Sequence, residues 1–358
     1  MSDNLRFQLE EFKDMRHNAF IAALELKNAG KNIAGIYGVN VPRELLWAMD
    51  IIPINIFGID GSNIKAAEKV LDKNLCSVIK SSYGYVITDK CPFSHFADIV
   101  VGTNYCPDKE SMLHMLEDIK PVYIIKEKKD VGDLALEYKK FGNYLQQKFN
   151  TAINKDKFLY VINKTNEISK LIIEITNIYM THPNILSAGD LISIVYGSQF
   201  IFNLDERLNK LYNLKKSLIE FAVEQETVNA SKVLITGAPM APLNEEIFEP
   251  MRALKNAIVV FSQCEGENYC IADYDKNIYY TLAKKYLFEN SLEYTKKIIE
   301  KYNIAVLVEA AARGCYVHNE CCEASGLPCL KITVDYDKTE EDNIIRLKEF
   351  ISDHNNID

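Results

Sequence analysis

Nine cysteines are spread through the 358 residues, and their positions relative to the apolar runs are the most informative feature of the chain. Cys106 follows the run at Asp98–Val101 by a few residues, Cys264 follows Ile258–Phe261, and Cys315 follows Ala305–Val308 after the short loop AAARG. Cys76 opens a helical stretch, where free backbone N–H groups favour a thiolate. Short apolar runs bounded by turn residues read as buried strands, and the ligands of open parallel sheets gather beyond the carboxyl ends of their strands. Four thiols are therefore expected on loops that face one cleft. Thiolates are the protein ligands of iron–sulfur clusters, and a cluster accepts ligands dispersed in sequence. On spacing alone a cluster, a zinc site and unrelated core thiols all stay open.

The remaining thiols read differently. Cys329 lies inside the apolar strand CLKITV and reads as core. Cys321 and Cys322 are adjacent on a helix, so at most one can face a given site, and both read as structural. Cys270 divides evenly between core and cleft. Cys91, before Pro92 at a turn, is either a ligand or a semi-buried turn thiol. In a reducing compartment these thiols are not expected to pair, and an odd number does not suit a complete set of disulfides.

Two groups are the candidate catalytic residues: His318, one turn from Cys315, and Glu320 in the same helical stretch, whose alternative is a solvated face. His95 in PFSHFAD reads as a structural histidine before a donor. Asp335-Tyr336-Asp337 ends the last strand and reads as a turn or helix cap, with a role in the cleft as the alternative. No GxxxxGK[ST] is present, GIYGVN lacks the GxGxxG spacing and its acidic partner, and no CxxC pair of a zinc ribbon or thioredoxin-like site occurs. No Ser/His/Asp arrangement stands out either, which argues against hydrolysis by a serine nucleophile.

The elements that must position these residues alternate between strand and helix, the pattern of α/β architecture. Strands are expected at Ile33–Tyr37, Ile54–Phe57, Asp98–Val101 and Val122–Ile125. Helices are expected over the amphipathic N-terminus, at Pro42 and beyond, from about Ala66 to Lys73, from Cys76, and through KESMLHMLEDI. From Asp130 to Asn229 only helical spacing recurs. Strands then resume at Lys232–Thr236, Ile258–Phe261, Ala305–Val308 and Cys329–Val334, with a last helix from about Glu340. This divides the chain into an N-terminal α/β domain (1–129), a helical connector (130–229) and a C-terminal α/β domain (230–358).

Composition bounds the function. With 48% hydrophobic and 25% charged residues the chain is globular, and a net charge of −9 leaves no basic stripe for nucleic acid or an anionic membrane. The N-terminal helix lacks the apolar centre of a signal peptide, and no apolar run approaches the about 20 residues of a membrane span. A soluble, cytoplasmic protein is expected.

The stretch GVNVPRELLWAMDIIPINIFG, together with LCSVIKSSYGY, CPFSHFADIVVGTNYCPDKESM, VLITGAPMAP, VVFSQCEG, ARGCYVHNE and LPCLKITVDYDKTEEDNIIRLKEF, resembles the 2-hydroxyacyl-CoA dehydratase family. That family also includes benzoyl-CoA reductase subunits and the double-cubane cluster proteins. The resemblance implies two Rossmann-like (flavodoxin-like) parallel-sheet domains joined by a helical region, with an iron–sulfur cluster between them. In the dehydratase branch it implies a [4Fe-4S] cluster on Cys76, Cys106 and Cys315; Cys264, a further cofactor-binding position, matches the double-cubane branch and is either a fourth ligand or a relic of that pattern. It also implies a homologous partner subunit in a homo- or heterodimer, and a separate ATP-dependent iron–sulfur activator that supplies single electrons. The implied reaction removes water from a 2-hydroxyacyl-CoA through a ketyl radical. SQCEG, GCYVHNE and VDYDK lie closer to the double-cubane branch, whose members carry out ATP-driven reductions of small molecules. Two thiols of that branch are missing here: Ala238 follows the Thr-Gly of VLITG, and KKYLFENSLEYT holds no cysteine. A double-cubane-like reductase, a non-catalytic cluster-carrying subunit and a metal-free small-molecule binder are the alternatives.

Overall fold

The structure is a computed structural model that describes residues 2–227, 230–239, 256–267, 269–315, 321–336 and 341–354. The chain begins with helix α1 (Asp3–Asn28), whose buried residues Leu5, Leu9, Phe12, Met15, Ala19 and Ala23 recur every three or four positions and form one apolar stripe. Strand β1 (Asn32–Tyr37) follows, then α2 (Arg43–Ala48), β2 (Ile51–Asn55), α3 (Ile64–Ala67), α4 (Ser77–Ile87), α5 (Pro92–Phe96), β3 (Ile99–Thr103), α6 (Pro107–Leu116) and β4 (Val122–Ile125). These four strands make one parallel sheet in the order β2-β1-β3-β4. A parallel sheet covered on both faces needs strands that are apolar throughout, and in β3 all five residues are buried.

Four helices come next: α7 (Val131–Phe149), α8 (Lys155–Thr181), α9 (Ala188–Gly197) and α10 (Leu204–Ala222). Asp130, Asn154, Ser187 and Asn203 cap them by accepting from backbone N–H groups of the first turn. The stretch holds no strand among its described residues, as its helical spacing predicts. The second sheet contains β5 (Lys232–Gly237), β6 (Ala257–Gln263), β7 (Val306–Ala312) and β8 (Cys329–Val334), again all parallel, in the order β6-β5-β7-β8. Between its strands lie α11 (Ile278–Glu289), α12 (Leu292–Tyr302) and the short α13 (Cys321–Ser325), and α14 (Glu341–His354) ends the described chain. The α/β reading holds in both sheets, and the two share one strand order.

Three expected elements differ in extent. The second strand lies at Ile51–Asn55 rather than Ile54–Phe57: the apolar run is continuous, and Asn55, paired with Ile36, is the last residue of the ladder while its side chain accepts from the buried guanidinium of Arg43 at 2.8 Å. The helix expected to Lys73 stops at Ala67, and beyond it Lys80 holds both Glu68 and the Lys73 carbonyl, at 2.9 and 2.7 Å. The loop expected before Cys315 is shorter, because Ala310, Ala311 and Ala312 continue the β7 ladder against β8. Helix α11 of the later part of the chain buries Leu282, Ala283 and Tyr286 in the same core as Ala34, Ile36 and Val101 of the first sheet. Among the described residues no helix is long and apolar enough to cross a membrane.

Candidate functional site

Each sheet has a point where successive strands leave in opposite directions: between β1 and β3 in the first, between β5 and β7 in the second. The chain ends of strands at such a point diverge and leave a crevice. Here both crevices open onto one cavity of about 140 Å³. Val39 and Asn40 reach it from the end of β1, Thr103, Tyr105 and Cys106 from β3, and Glu127 from β4. Gly237 and Ala238 reach it from β5, Cys264 and Glu265 from β6, and Ala312 and Cys315 from β7. Cys76 joins from the start of α4. All four thiols expected at a shared cleft line this one cavity.

The helix starts and turns that carry the thiols explain their placement. Asn, Asp or Ser caps the long helices, whereas α4 and α6 begin on Cys76 and Cys106. The Cys315 turn is fixed from three sides. Arg313 donates its backbone N–H to Val334 at 2.8 Å and its side chain pairs with Asp335, while its carbonyl accepts the Ser77 N–H at 2.8 Å. Gly314 has φ +78°, and a Cβ there would stand 2.4 Å from the Asn74 carbonyl and 2.7 Å from that of Leu75. Only glycine allows the second sheet's loop to lie this close to the loop that ends in Cys76. The acidic stretch at the end of β8 thus has its role in part: Asp335 braces the Cys315 turn, and Tyr336 places a buried hydroxyl near Cys264 and Cys76.

Burial governs the electrostatics. The Cys76 thiol, hydrogen-bonded to Cys315 and desolvated, is pushed far above the usual cysteine range. Desolvation and the neighbouring Glu265 push Cys264 up as well. Burial raises Cys106, while the N–H groups of Lys109 and Asp108 at the start of α6 pull it back. Lys109 is 5% exposed and Glu265 2% exposed, and they form an ion pair in the cavity wall. Burial opposes the Lys109 charge, but Glu265 and the nearby thiols outweigh it and hold the ammonium above its ordinary pKa. Glu265 also accepts the Gly38 N–H, so this one carboxylate ties the β6 loop to α6 and to the end of β1. Glu127, which accepts from Asn40 at 2.7 Å, is raised by burial.

Lys109 and Glu265 are charged cavity-wall positions that thiol spacing alone missed. Lys109 stands three residues after Cys106 and Glu265 directly after Cys264, but neither spacing marks its charge as buried. Charges beside a thiol read as solvated until two distant segments bury them together. The other thiols are elsewhere. Cys91 is 4% exposed within the main core, Cys270 lines a separate apolar chamber, and Cys321 donates to Thr295 at 3.6 Å. The expectation that no thiols pair is overturned at one place: Cys322 and Cys329 form a disulfide, with Cα atoms 5.6 Å apart, because the turn after α13 brings the helix start back beside the first residue of β8. His95 lies at the surface, 56% exposed and bonded to Asp89 at 2.9 Å. His318 and Glu320 lie outside the described residues.

Among the described residues no three His, Cys, Asp or Glu side chains converge on a point suited to a single metal ion. A cluster asks for something else, one thiolate for each iron it anchors, spread around its faces. Four cysteines from four segments around one enclosed space match that donor chemistry, and no imidazole among the described residues joins them. The methyl group of Ala238 occupies a wall position where a fifth donor would have faced the cavity.

The chain matches the family model described as 2-hydroxyglutaryl-CoA dehydratase, D-component, over residues 38–352. It is 26% identical over 328 residues to YjiM of Escherichia coli (strain K12), assigned by name as a dehydratase subunit, covering 86% of this chain and 85% of that protein. It is 23% identical over 260 residues to the lactoyl-CoA dehydratase subunit beta of Anaerotignum propionicum, covering 70% of this chain and 67% of that protein. Among solved structures, the laminin-binding protein Lbp of Streptococcus pyogenes aligns over 91% of this chain and 99% of its own with 9% identity and a TM-score of 0.22, too low to bear on the fold. The family match takes in β2, β3 and β4 of the first sheet, the whole of the second and all four cavity thiols, and the chain belongs to the 2-hydroxyglutaryl-CoA dehydratase D-component family.

Proposed function

We propose that this chain is an iron–sulfur subunit of a 2-hydroxyacyl-CoA dehydratase, with Cys76, Cys106 and Cys315 holding a [4Fe-4S] cluster and Cys264 beside it as a further ligand. One observation supports the reading above the others: four thiols from both sheets line a single cavity at the two switch points. When bound, the cluster supplies a single low-potential electron to a thioester carbonyl, the step that makes the otherwise non-acidic β-hydrogen removable.

The chain's own residues do the rest. Val39, Val78, Ile79 and Ala310 give the cavity apolar walls that exclude water. Lys109 holds a positive charge in that wall, and Glu265 fixes its direction. Burial lets Glu127 keep a proton more readily than an exposed carboxyl, so it can exchange one with a molecule in the cavity. His318 and Glu320 are proposed as the groups that take up the β-proton and protonate the departing hydroxyl. A homologous subunit and an ATP-hydrolysing activator complete the system, and electrons return after each turnover.

The test is anaerobic turnover of a 2-hydroxyacyl-CoA with the chain, its homologous partner subunit, ATP and an activator. Loss of water that requires all four components and disappears in Cys106→Ser supports the proposal. Undiminished turnover in Cys106→Ser contradicts it, and a cluster-bearing chain inactive in every pairing would assign it as a carrier subunit.

A further inference from the structure

Strand β6 ends at Gln263 and α11 begins at Ile278, so Cys264 stands on a loop, and the direction of its thiol depends on what grips that loop. Its own N–H donates to the Gly237 carbonyl at 2.8 Å. The rest of the grip comes from Lys109 in the cavity wall and from two buried arginines, Arg43 and Arg207, that do not line the thiol cavity. Arg43 Nη2 donates to the Gly266 carbonyl at 2.8 Å, to Asn55 Oδ1 at 2.8 Å and to the Gly38 carbonyl at 3.2 Å, and Nη1 reaches the Val39 carbonyl at 3.4 Å. Gly38 and Gly266 have φ +105° and +98°. The chain therefore leaves β1 and β6 through two turns that favour glycine, and one guanidinium binds both. Glu265 closes the link from the other side by accepting the Gly38 N–H. Arg207, on α10 of the helical connector, donates to Glu267 at 2.8 Å and to the Tyr269 hydroxyl at 3.0 Å. Residues 265, 266 and 267 are thus held in turn by Lys109, Arg43 and Arg207.

Stability alone does not account for Arg43. A buried cation is costly unless it is paired, and Glu267, the carboxylate it faces, stands 3.9 Å from its Nε, outside hydrogen-bond distance. Its donated bonds go instead to neutral oxygens, three of them carbonyls of the two loops that reach the cavity. An apolar residue of similar volume avoids the desolvation, but it cannot set those loops at a fixed separation.

We propose that Arg43 and Arg207 are positioning residues, which fix the loop of residues 264–267 between the first sheet and the helical connector and so aim the Cys264 thiol into the cavity. That Cys264 then meets a cluster rests on the proposed function; the placing of the thiol by the two arginines does not.

Lysine at either position keeps the charge but lacks the planar fork, so Arg43→Lys and Arg207→Lys test the geometry. Leu145→Ala, at a fully buried position on α7 that does not line the cavity, controls for a general loss of stability. Two quantities are read. In iron-free protein it is the rate at which iodoacetamide alkylates Cys264 relative to Cys106, followed site by site by mass spectrometry. In anaerobically iron-loaded protein it is the EPR spectrum after dithionite reduction, with Cys264→Ser as the reference. Support is alkylation of Cys264 about tenfold or more faster in both lysine variants, wild-type rates in Leu145→Ala, and lysine-variant spectra shifted toward that of Cys264→Ser. Wild-type alkylation and spectra in both lysine variants overturn the proposal, and so do the same changes in Leu145→Ala. A protein that takes up no iron, or a Cys264→Ser protein with the wild-type spectrum, contradicts the cluster role of Cys264; the alkylation rates then decide the positioning by themselves.

Discussion

The N–H of Ser77 donates to the carbonyl of Arg313 at 2.8 Å, a single backbone bond that joins the α4 start in the first half of the chain to the β7 exit in the second. It holds two of the cavity thiols, Cys76 and Cys315, within hydrogen-bonding reach of each other. The position of one thiol is therefore set by the neighbours of the other.

Gly314 makes that contact sterically possible, so Gly314→Ala is expected to break it. The methyl group would press on the Asn74 and Leu75 carbonyls, and the residue would sit at positive φ. A cost of about 1–3 kcal/mol is expected, read as a lower denaturation midpoint, together with reduced iron after anaerobic reconstitution. A variant with wild-type stability and iron would show that the two loops separate without consequence.

Cysteine substitutions should divide by cavity membership. Cys106→Ser is expected to lose iron, while Cys91→Ser and Cys321→Ser, whose thiols lie in the core away from the cavity, are expected to keep it at the cost of stability alone. Metal analysis of the purified variants checks this. Iron loss in Cys91→Ser equal to that in Cys106→Ser would contradict the assignment.

The Lys109–Glu265 pair should behave as a buried ion pair does. Lys109→Met leaves an uncompensated carboxylate in the cavity wall and is expected to cost about 3–5 kcal/mol. Removing both charges in Lys109→Met with Glu265→Gln is expected to recover much of that loss. Urea midpoints of the single and double variants give the coupling, and strictly additive losses would refute it.

Glu289 gives a dependence on pH. It is 1% exposed, one carboxylate oxygen has no hydrogen-bond partner among the described residues, and burial raises its pKa to about 8. Its folded pKa is above its unfolded one, so its contribution is complete in acid and is lost as pH rises from near 4.5 to about 8. Wild type is expected to lose about 1.4 kcal/mol per pH unit relative to Glu289→Gln across that window, and the difference should level off above it. Parallel stability curves would mean that Glu289 is already ionised when the chain is folded.

How far the sequence led depended on whether a feature was local. Apolar runs ending in turn residues placed seven of the eight strands among the described residues, and shifted β2 by three residues at its start, because a strand buried on both faces needs apolar residues throughout. Strand ends then placed Cys76, Cys106, Cys264 and Cys315 at one cleft, as parallel topology requires. Lys109 and Glu265 were not legible, since their burial comes from segments more than a hundred residues apart meeting across the cavity. Cys322 and Cys329 failed for the same reason: their pairing depends on a turn that neither flanking pattern specifies. The limit of β2 at Asn55 was not legible either, because the apolar run continues through Ile56 and Phe57 beyond the last ladder residue.

The most direct test of the central claim is iron and acid-labile sulfide per chain in anaerobically purified protein, with EPR spectra after dithionite reduction. About four of each, with a reduced-cluster signal that Cys106→Ser abolishes, is the predicted result. Protein that stays colourless and free of iron after anaerobic reconstitution would contradict it.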